Sequence, residues 1–236
     1  MPQPIPLFDH PYRALVVGSS GAIGRAFVEA LKQDAHCQHV HSVSRQPAMD
    51  FDLTDEKSIQ AQSEKARPLG PFHLIVDATG TLMVDGRGPE KSLSQLSQAT
   101  LLQAMNVNAV GPVLVLKYFS SLLANGHAIY AKLSARVGSI SDNQLGGWYG
   151  YRASKAALNM YLQTAAIELQ RRQPLWKFVA LQPGTVDSAL SRPFQANVRH
   201  LLTPQESVQG MMASLRTLSP TKGAHFVDHR GQDVPW

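Results

Sequence analysis

The sequence predicts an α/β fold in one domain spanning residues 1–236, with helices flanking a doubly wound, mostly parallel sheet of seven strands. Three observations predict this class. Short apolar segments alternate with longer segments of helical period, as in strand–helix–strand crossover units. A glycine-rich segment follows the first apolar run and opens the first helix. No repeat, linker or low-complexity segment interrupts the alternation.

Each strand is predicted from a short apolar run bounded by turn residues. The first run ends at Gly18, and the sixth is stopped by Pro183 and Gly184, because proline and glycine interrupt regular structure. Phe51 begins a third, very short run. The predicted strands cover residues 14–17, 40–43, a few residues from 51, 74–77, 128–134, 178–182 and 225–227.

Each helix is predicted from apolar residues at helical spacing. Thr54 is followed by two acidic residues and is typical of a helix start, where a hydroxyl caps free N–H groups and acids favour the dipole. The adjacent Arg171 and Arg172 suit the opposite end of a helix dipole. The predicted helices cover residues 22–33, 54–65, 93–105, 107–124, 151–171 and 204–218.

Composition and charge exclude several classes of protein. The net charge of +5 comes from scattered basic residues, which favours a solvated surface and a phosphate-bearing cofactor over a nucleic-acid partner. No apolar run of roughly 18 residues occurs, so we expect no membrane-spanning helix, and the N-terminus lacks a signal-peptide pattern. The single cysteine, Cys37, predicts a reducing, cytoplasmic location. The histidines show no ligand spacing, so we expect no metal.

The segment between the first strand and the first helix has the composition of a phosphate-binding loop. In a Rossmann fold, a dinucleotide pyrophosphate binds at this position on the free N–H groups of the helix N-terminus. The glycine spacing here differs from the usual dinucleotide motif, and three glycines that merely shape a turn are the alternative. The candidate loop residues are Gly18, Ser19, Ser20, Gly21, Ala22, Ile23 and Gly24.

The end of the second strand distinguishes between the two nicotinamide dinucleotides. An NAD site needs a carboxylate there to accept the hydrogen bonds of the ribose 2′-hydroxyl group. This chain has Ser44 and Arg45 instead, a hydroxyl donor and a guanidinium that suit a 2′-phosphate. The sequence therefore predicts NADP(H) as the cofactor, with a surface arginine as the alternative interpretation.

A tyrosine and a lysine four residues apart carry the predicted chemistry. Tyr151 and Lys155 fall on one face of the predicted helix 151–171. A free phenol has a pKa of about 10, and a neighbouring ammonium lowers that value toward neutral pH. Such a phenol can donate a proton to a carbonyl oxygen while hydride arrives from the cofactor.

Together with the glycine loop, this motif resembles the short-chain dehydrogenase/reductase family over nearly the whole chain. The stretches 134–140, 146–149 and 151–157, and the ending Val234-Pro-Trp236, are similar to the C-factor-like carbonyl reductases within it. The resemblance implies that Asn108 carries a proton relay to Lys155. It also implies cofactor contacts from residues near the carboxyl ends of the strands: Asp52, Leu53, Ala78, Thr79, Gly80, Pro183, Gly184, Val186 and Ser188.

The family's substrate-polarising serine does not match. The family places two serines at the end of the fifth strand, and here the second position is Ala135. Ser134 or Ser139 is the candidate to replace it. We favour Ser134, although neighbouring strand residues point to opposite faces, so its use requires a local bend.

The resemblance implies an NADP(H)-dependent oxidoreductase that transfers hydride between nicotinamide and a small-molecule carbonyl or alcohol. The alternative is an NADP(H)-binding regulatory or signalling protein with little turnover. The resemblance also implies a homodimer or homotetramer that associates through the helices around 108–124 and 151–171.

Overall fold

The strands lie in one parallel sheet at the centre of the protein. A computed structural model describes residues 6–45, 51–84, 86–196 and 200–236. The strands are β1 (Tyr12–Val17), β2 (Cys37–Val43), β3 (Leu74–Asp77), β4 (Ala128–Leu133), β5 (Trp176–Gln182) and β6 (Ala224–Asp228). Their order in the sheet is β2-β1-β3-β4-β5-β6, and every neighbouring pair is parallel.

Helices cover both faces of this sheet. They are α1 (Ala22–Gln33), α2 (Glu56–Ala66), α3 (Gln98–Met105), α4 (Gly111–Phe119), α5 (Tyr149–Leu169) and α6 (Pro204–Thr217). A π-helical turn, Asn106–Val110, joins α3 to α4. Short 3-10 turns lie at Arg67–Leu69, Leu93–Gln95, Ser120–Leu122, Arg136–Gly138 and Arg192–Phe194.

The alternation of side chains along the strands builds one core on each face. In β1, Leu15 and Val17 pack into one cluster of buried residues, and Ala14 and Val16 pack into the other. The central strands β3 and β4 are buried along their whole length, as expected for strands covered on both faces. Because every strand runs in the same direction, all of their carboxyl ends meet at one edge of the sheet.

The predicted α/β class is confirmed, and the predicted number of strands is wrong. Six strands form the sheet in the described part of the chain, and Phe51 belongs to none of them. Its side chain is nevertheless buried in the core. A loop that inserts one large apolar side chain gives the same local pattern as a short strand. Residues 46–50 lie outside the described part of the chain.

The helical stretch Gln98–Leu122 is long and apolar enough to cross a membrane by length and composition, with a mean hydropathy of 1.5. A core helix of a soluble protein has the same properties. Here Ala104, Ala109, Val115 and Phe119 of this stretch are buried inside the fold, so it serves as a core helix of this protein.

Candidate active site

The glycine loop is held against two strands, and its three glycines have different environments. The backbone N–H groups of Gly18 and Ser19 donate to the carbonyl oxygen of Val43, at 2.7 and 3.2 Å. A Cβ atom on Gly24 would lie 2.2 Å from the Gly18 oxygen, whereas one on Gly21 would meet nothing closer than 3.5 Å. Gly24 is therefore needed for packing within the protein, and Gly21 leaves its side open for a ligand.

The N-terminus of α1 adds positive charge to this loop. Gly21 precedes the helix in an extended conformation without a side-chain cap, and the first turn contains no acidic residue. Free N–H groups and the helix dipole favour an anion at this position. Arg25 donates from its guanidinium to the Ser20 oxygen at 3.2 Å. Arg25 is not among the residues predicted from the sequence, although its position in the first turn of the predicted helix 22–33 indicates a basic group near the loop.

The residues predicted to hold the adenosine end lie beyond β2. Ser44 is buried and Arg45 is exposed. The Asp52 carboxylate accepts hydrogen bonds from the N–H and hydroxyl groups of Thr54, both at 2.8 Å. These bonds, with a smaller effect of the Arg45 charge, lower the pKa of Asp52. Leu53 contacts α4, since a Cβ atom on Gly111 would lie 2.4 Å from its carbonyl oxygen.

The turn after β3, residues 77–80, lies between the glycine loop and the predicted catalytic residues. The Asp77 carboxylate accepts from the N–H and hydroxyl groups of Thr79, at 2.9 and 2.6 Å. A Cβ atom on Gly18 would lie 3.0 Å from the carbonyl carbon of Ala78. One on Gly80 would lie 3.2 Å from Asn108 Oδ1 and 3.4 Å from Lys155 Nζ. This turn therefore contacts both the predicted phosphate loop and the predicted proton relay.

Tyr151, Lys155 and Asn108 come together at the same edge of the sheet. Lys155 Nζ lies 5.7 Å from the centre of the Tyr151 ring and donates to the Leu133 oxygen at 3.1 Å. Asn108 lies in the π-helical turn and bonds Thr81 twice, accepting from its N–H at 2.8 Å and donating to its oxygen at 2.9 Å. A π-turn widens a helix locally and is frequent at functional sites.

Burial shifts the pKa of both residues of the Tyr151–Lys155 pair. It raises the pKa of Tyr151, contrary to the lowering that the sequence predicts for a phenol beside an ammonium, so that the phenol keeps its proton at neutral pH. Burial also lowers the pKa of Lys155 to about 7, helped by the charge of Lys132 and opposed by that of Asp77. The ammonium of Lys155 is therefore lost and gained near neutral pH, next to a phenol that can donate a proton.

The hydroxyl groups of the two candidate serines, Ser134 and Ser139, bond other parts of the protein. The Ser134 hydroxyl is buried and donates to Asn159 Oδ1 at 2.6 Å. Ser139 Oγ accepts from the N–H of Asp142 at 3.0 Å and lies 3.4 Å from the Trp236 oxygen. Neither serine lines the cavity in front of Tyr151. Asn159 of α5 thus holds the hydroxyl of Ser134.

The loop after β5 brings the remaining predicted residues to the same edge. The Pro183 oxygen accepts from Ser207 at 2.6 Å. Gly184 has a φ of +77°, a conformation that favours glycine. Val186 is buried and Ser188 is partly buried, with its hydroxyl 3.2 Å from that of Ser191.

A cavity of about 640 Å³ opens in front of Tyr151. Met83, Pro193 and Phe194 give it apolar walls, and Asn108 and Tyr151 add polar groups. Charged side chains also line it, among them Arg87, Glu90 and Lys91, so the cavity can hold a small molecule that carries polar groups.

The start of α5 is fixed by residues that the sequence analysis did not select. Trp148 takes the left-handed conformation, with a φ of 54°, and its ring packs 5.2 Å from that of Phe194. Its N–H donates to the Glu90 oxygen at 2.5 Å, and Gly150 N–H donates to Glu90 Oε2 at 3.0 Å. Glu90 thus holds the first turn of the helix that carries Tyr151. No local pattern marks it, because the contact spans distant segments.

Comparison with known proteins identifies the family. The family model described as short chain dehydrogenase matches residues 12–199. The chain belongs to the short-chain dehydrogenase family. The predicted resemblance is therefore confirmed. The family is one of oxidoreductases that act on small-molecule substrates.

Individual members of the short-chain dehydrogenase family are similar over most of their length. The C-signal protein of Myxococcus xanthus is 30% identical over 71% of this chain and 94% of its own. The 1-hydroxy-2-glutathionyl-2-methyl-3-butene dehydrogenase of a Rhodococcus species is 26% identical over 78% of each chain. The crystal structure of an NADPH-bound carbonyl reductase from chicken fatty liver has a TM-score of 0.84 and 22% identity, covering 96% of this chain and 95% of that one.

Proposed function

We propose that this oxidoreductase uses NADP(H) to reduce small-molecule carbonyl compounds, with Tyr151 as the proton donor. The observation that carries the proposal is that Tyr151 and Asn108 line one cavity, with Lys155 Nζ 5.7 Å from the centre of the Tyr151 ring, while the turn at residues 77–80 contacts both Lys155 and the glycine loop. Family membership supports the reaction class, and the NADPH-bound carbonyl reductase supports the substrate class.

The residues around the glycine loop fit a dinucleotide with a 2′-phosphate. The open side of Gly21 and the N-terminus of α1 suit the pyrophosphate. Arg45, exposed beyond β2, suits a 2′-phosphate, and no carboxylate follows that strand directly to repel it. Further residues would hold the adenine and nicotinamide ends: Asp52, Leu53, Ala78, Thr79, Gly80, Pro183, Gly184, Val186 and Ser188.

The chain's own residues handle the proton. A bound nicotinamide cofactor supplies the hydride to the carbonyl carbon. Tyr151 would donate its hydroxyl proton to the carbonyl oxygen, and its raised pKa keeps the phenol protonated for that step. The Lys155 ammonium, 5.7 Å from the ring centre, would stabilise the phenolate that remains. Asn108 contacts the turn beside Lys155 and would support the return of a proton from solvent.

We also propose one domain over residues 1–236, a cytoplasmic location, and a homodimer or homotetramer without a nucleic-acid or membrane partner. The single sheet that spans the described chain supports the domain assignment. The single, partly buried Cys37 suits a reducing compartment.

The test follows the loss of NADPH absorbance with a panel of quinones, α-diketones and aldehydes. We expect turnover by the unaltered protein, faster with NADPH than with NADH. Tyr151→Phe should lower kcat by about 10²–10⁴-fold, because it removes the proton donor and keeps the ring. Tyr149→Phe is the matched control: it lies two residues earlier in α5 without a lysine four positions on, and should keep its activity. Equal activity in both variants would refute the role of Tyr151.

A second candidate is an NADP(H)-binding regulatory protein with little turnover. Ala135 at the serine position and the buried hydroxyl of Ser134 favour it, and so does the similarity to a protein named C-signal. Tight NADPH binding without turnover of any carbonyl compound in the panel would favour this candidate.

A further inference from the structure

A buried ion pair lies directly behind the proposed catalytic residues. Lys132, one residue before the end of β4, and Asp77, at the end of β3, are 1% and 0% exposed, and Lys132 Nζ lies 2.9 Å from Asp77 Oδ1. Nothing in the proposed reaction uses either residue. Burying two charges costs several kcal/mol in desolvation, so the pair calls for an explanation beyond packing.

The Lys132 ammonium is bound to a single turn of the backbone. Besides the carboxylate, it donates to the Thr79 oxygen at 2.7 Å, to the Thr79 hydroxyl at 3.0 Å and to the Asp77 oxygen at 3.3 Å. The carboxylate in turn accepts from the N–H and hydroxyl groups of Thr79. Lys132 and Asp77 therefore fix the conformation of the turn at residues 77–80.

This turn carries the contact to the proton relay. Gly80, its last residue, packs closely against both groups, because a Cβ atom there would lie 3.2 Å from Asn108 Oδ1 and 3.4 Å from Lys155 Nζ. A shift of the turn would move the neighbours of both residues. Glycine at this position has a φ of +138°, so the turn cannot easily be rebuilt with another residue.

Charges from the neighbouring strands act on Lys155. After burial, the Lys132 ammonium is the largest influence that lowers the pKa of Lys155, and the Asp77 carboxylate opposes it. Tyr151 on its own helix and Tyr130 on β4 have raised pKa values and stay neutral. Among the described residues, Lys132 and Asp77 are thus the charges that set the state of the Lys155 amine.

We propose that Lys132 and Asp77 are positioning residues of the reaction, which hold the turn at residues 77–80 against Asn108 and Lys155 and act on the Lys155 amine through space. The consequence of this ion pair for catalysis rests on the proposed function. Its electrostatic part can be tested on the protein alone.

The direct test measures the protonation of Lys155 by NMR. In protein labelled with ¹³C,¹⁵N-lysine, the Cε and Nζ shifts of Lys155 are followed against pH and assigned by their loss in Lys155→Ala. Lys132→Met removes the repelling ammonium and should raise the Lys155 midpoint by about one pH unit or more. Lys132→Arg keeps the charge and should leave the midpoint close to its original value.

Two further variants keep the result interpretable. Lys132→Met leaves Asp77 without its ammonium, so the double variant Asp77→Asn/Lys132→Met, which buries no charge, is the alternative if the single variant does not fold. Its Lys155 midpoint should rise as well, by less. Lys177→Met is the matched control, because Lys177 on β5 also donates to backbone oxygens, those of Leu215 and Leu218, without acting on Lys155. An unchanged Lys155 midpoint in the folded Lys132 variants would overturn the proposal.

The pH profile of kcat/KM separates this inference from the proposed function. If Lys155 must be protonated, the alkaline limb of the profile should move upward in Lys132→Met by the same amount as the NMR midpoint. A shifted midpoint in a protein without turnover would support the ion pair's role and refute the proposed reaction. Turnover with an unshifted Lys155 midpoint would support the proposed reaction and refute the role of the ion pair.

Discussion

Ala135 stands where the resemblance to the family implies a serine that polarises the substrate carbonyl. Its backbone is extended, with a φ of −154°, and its side chain is partly exposed, so serine fits without strain. Loss of one donor to a reacting oxygen typically costs about 10²–10³-fold in rate. We therefore expect Ala135→Ser to raise kcat/KM for carbonyl reduction by about tenfold or more.

The control for this prediction is Ser134→Ala. Its hydroxyl bonds Asn159 and should affect stability, by about 1 kcal/mol, more than turnover. Steady-state kinetics and urea denaturation of both variants provide the comparison. A rate that stays the same in Ala135→Ser would mean that the substrate oxygen lies elsewhere.

The same scale shows what the sequence can and cannot reveal about the site. Tyr151 and Lys155 are predicted from their four-residue spacing and from their place on the helix after the strand 128–134, and both ends of that contact lie in one helix. The buried partner of Lys132 could have been predicted from the sequence, because a charged residue inside an apolar strand needs a buried partner. The hydrogen bond between Ser134 and Asn159 could not be predicted from the sequence, because it depends on how α5 packs on β4.

Among the elements, the junction of β1 and α1 makes a sharp prediction from two glycines. Gly24→Ala would place a Cβ atom 2.2 Å from the Gly18 oxygen and should destabilise the fold by about 1–3 kcal/mol. Gly21→Ala meets nothing closer than 3.5 Å, so stability should change by less than about 0.5 kcal/mol. It should still weaken NADPH binding at least tenfold, because the methyl group fills the proposed pyrophosphate side.

Urea denaturation measures the first effect, and fluorescence titration with NADPH measures the second. The assignment of the loop fails if Gly21→Ala binds NADPH as well as the unaltered protein. At this scale the sequence predicts which elements exist better than how they join. Most of the two helices predicted at 93–105 and 107–124 forms one helical stretch, Gln98–Leu122, which contains a π-turn at Asn106–Val110 and packs against Leu53 at Gly111.

At the scale of the whole molecule, several large apolar side chains lie exposed on the surface. Val110, in the helical segment 108–124, and Met160 of α5 are 36% and 65% exposed. If these helices form the proposed interface, light scattering should give a mass two or four times 25.8 kDa. Met160→Glu should reduce that mass, whereas Leu175→Glu, which places the same charge on an exposed leucine before β5, should not. A monomeric unaltered protein would contradict the proposed assembly.

The buried pair between β3 and β4 also constrains how this protein can evolve. Replacing either Lys132 or Asp77 alone leaves one charge unpaired in the interior. This lowers the free energy of unfolding by about 3–5 kcal/mol, which is a large part of a domain's total stability. Mutations at the two positions are therefore tolerated only together or in quick succession. Descendants of this chain should carry both charges or neither, so the two positions should covary although 55 residues separate them in the sequence.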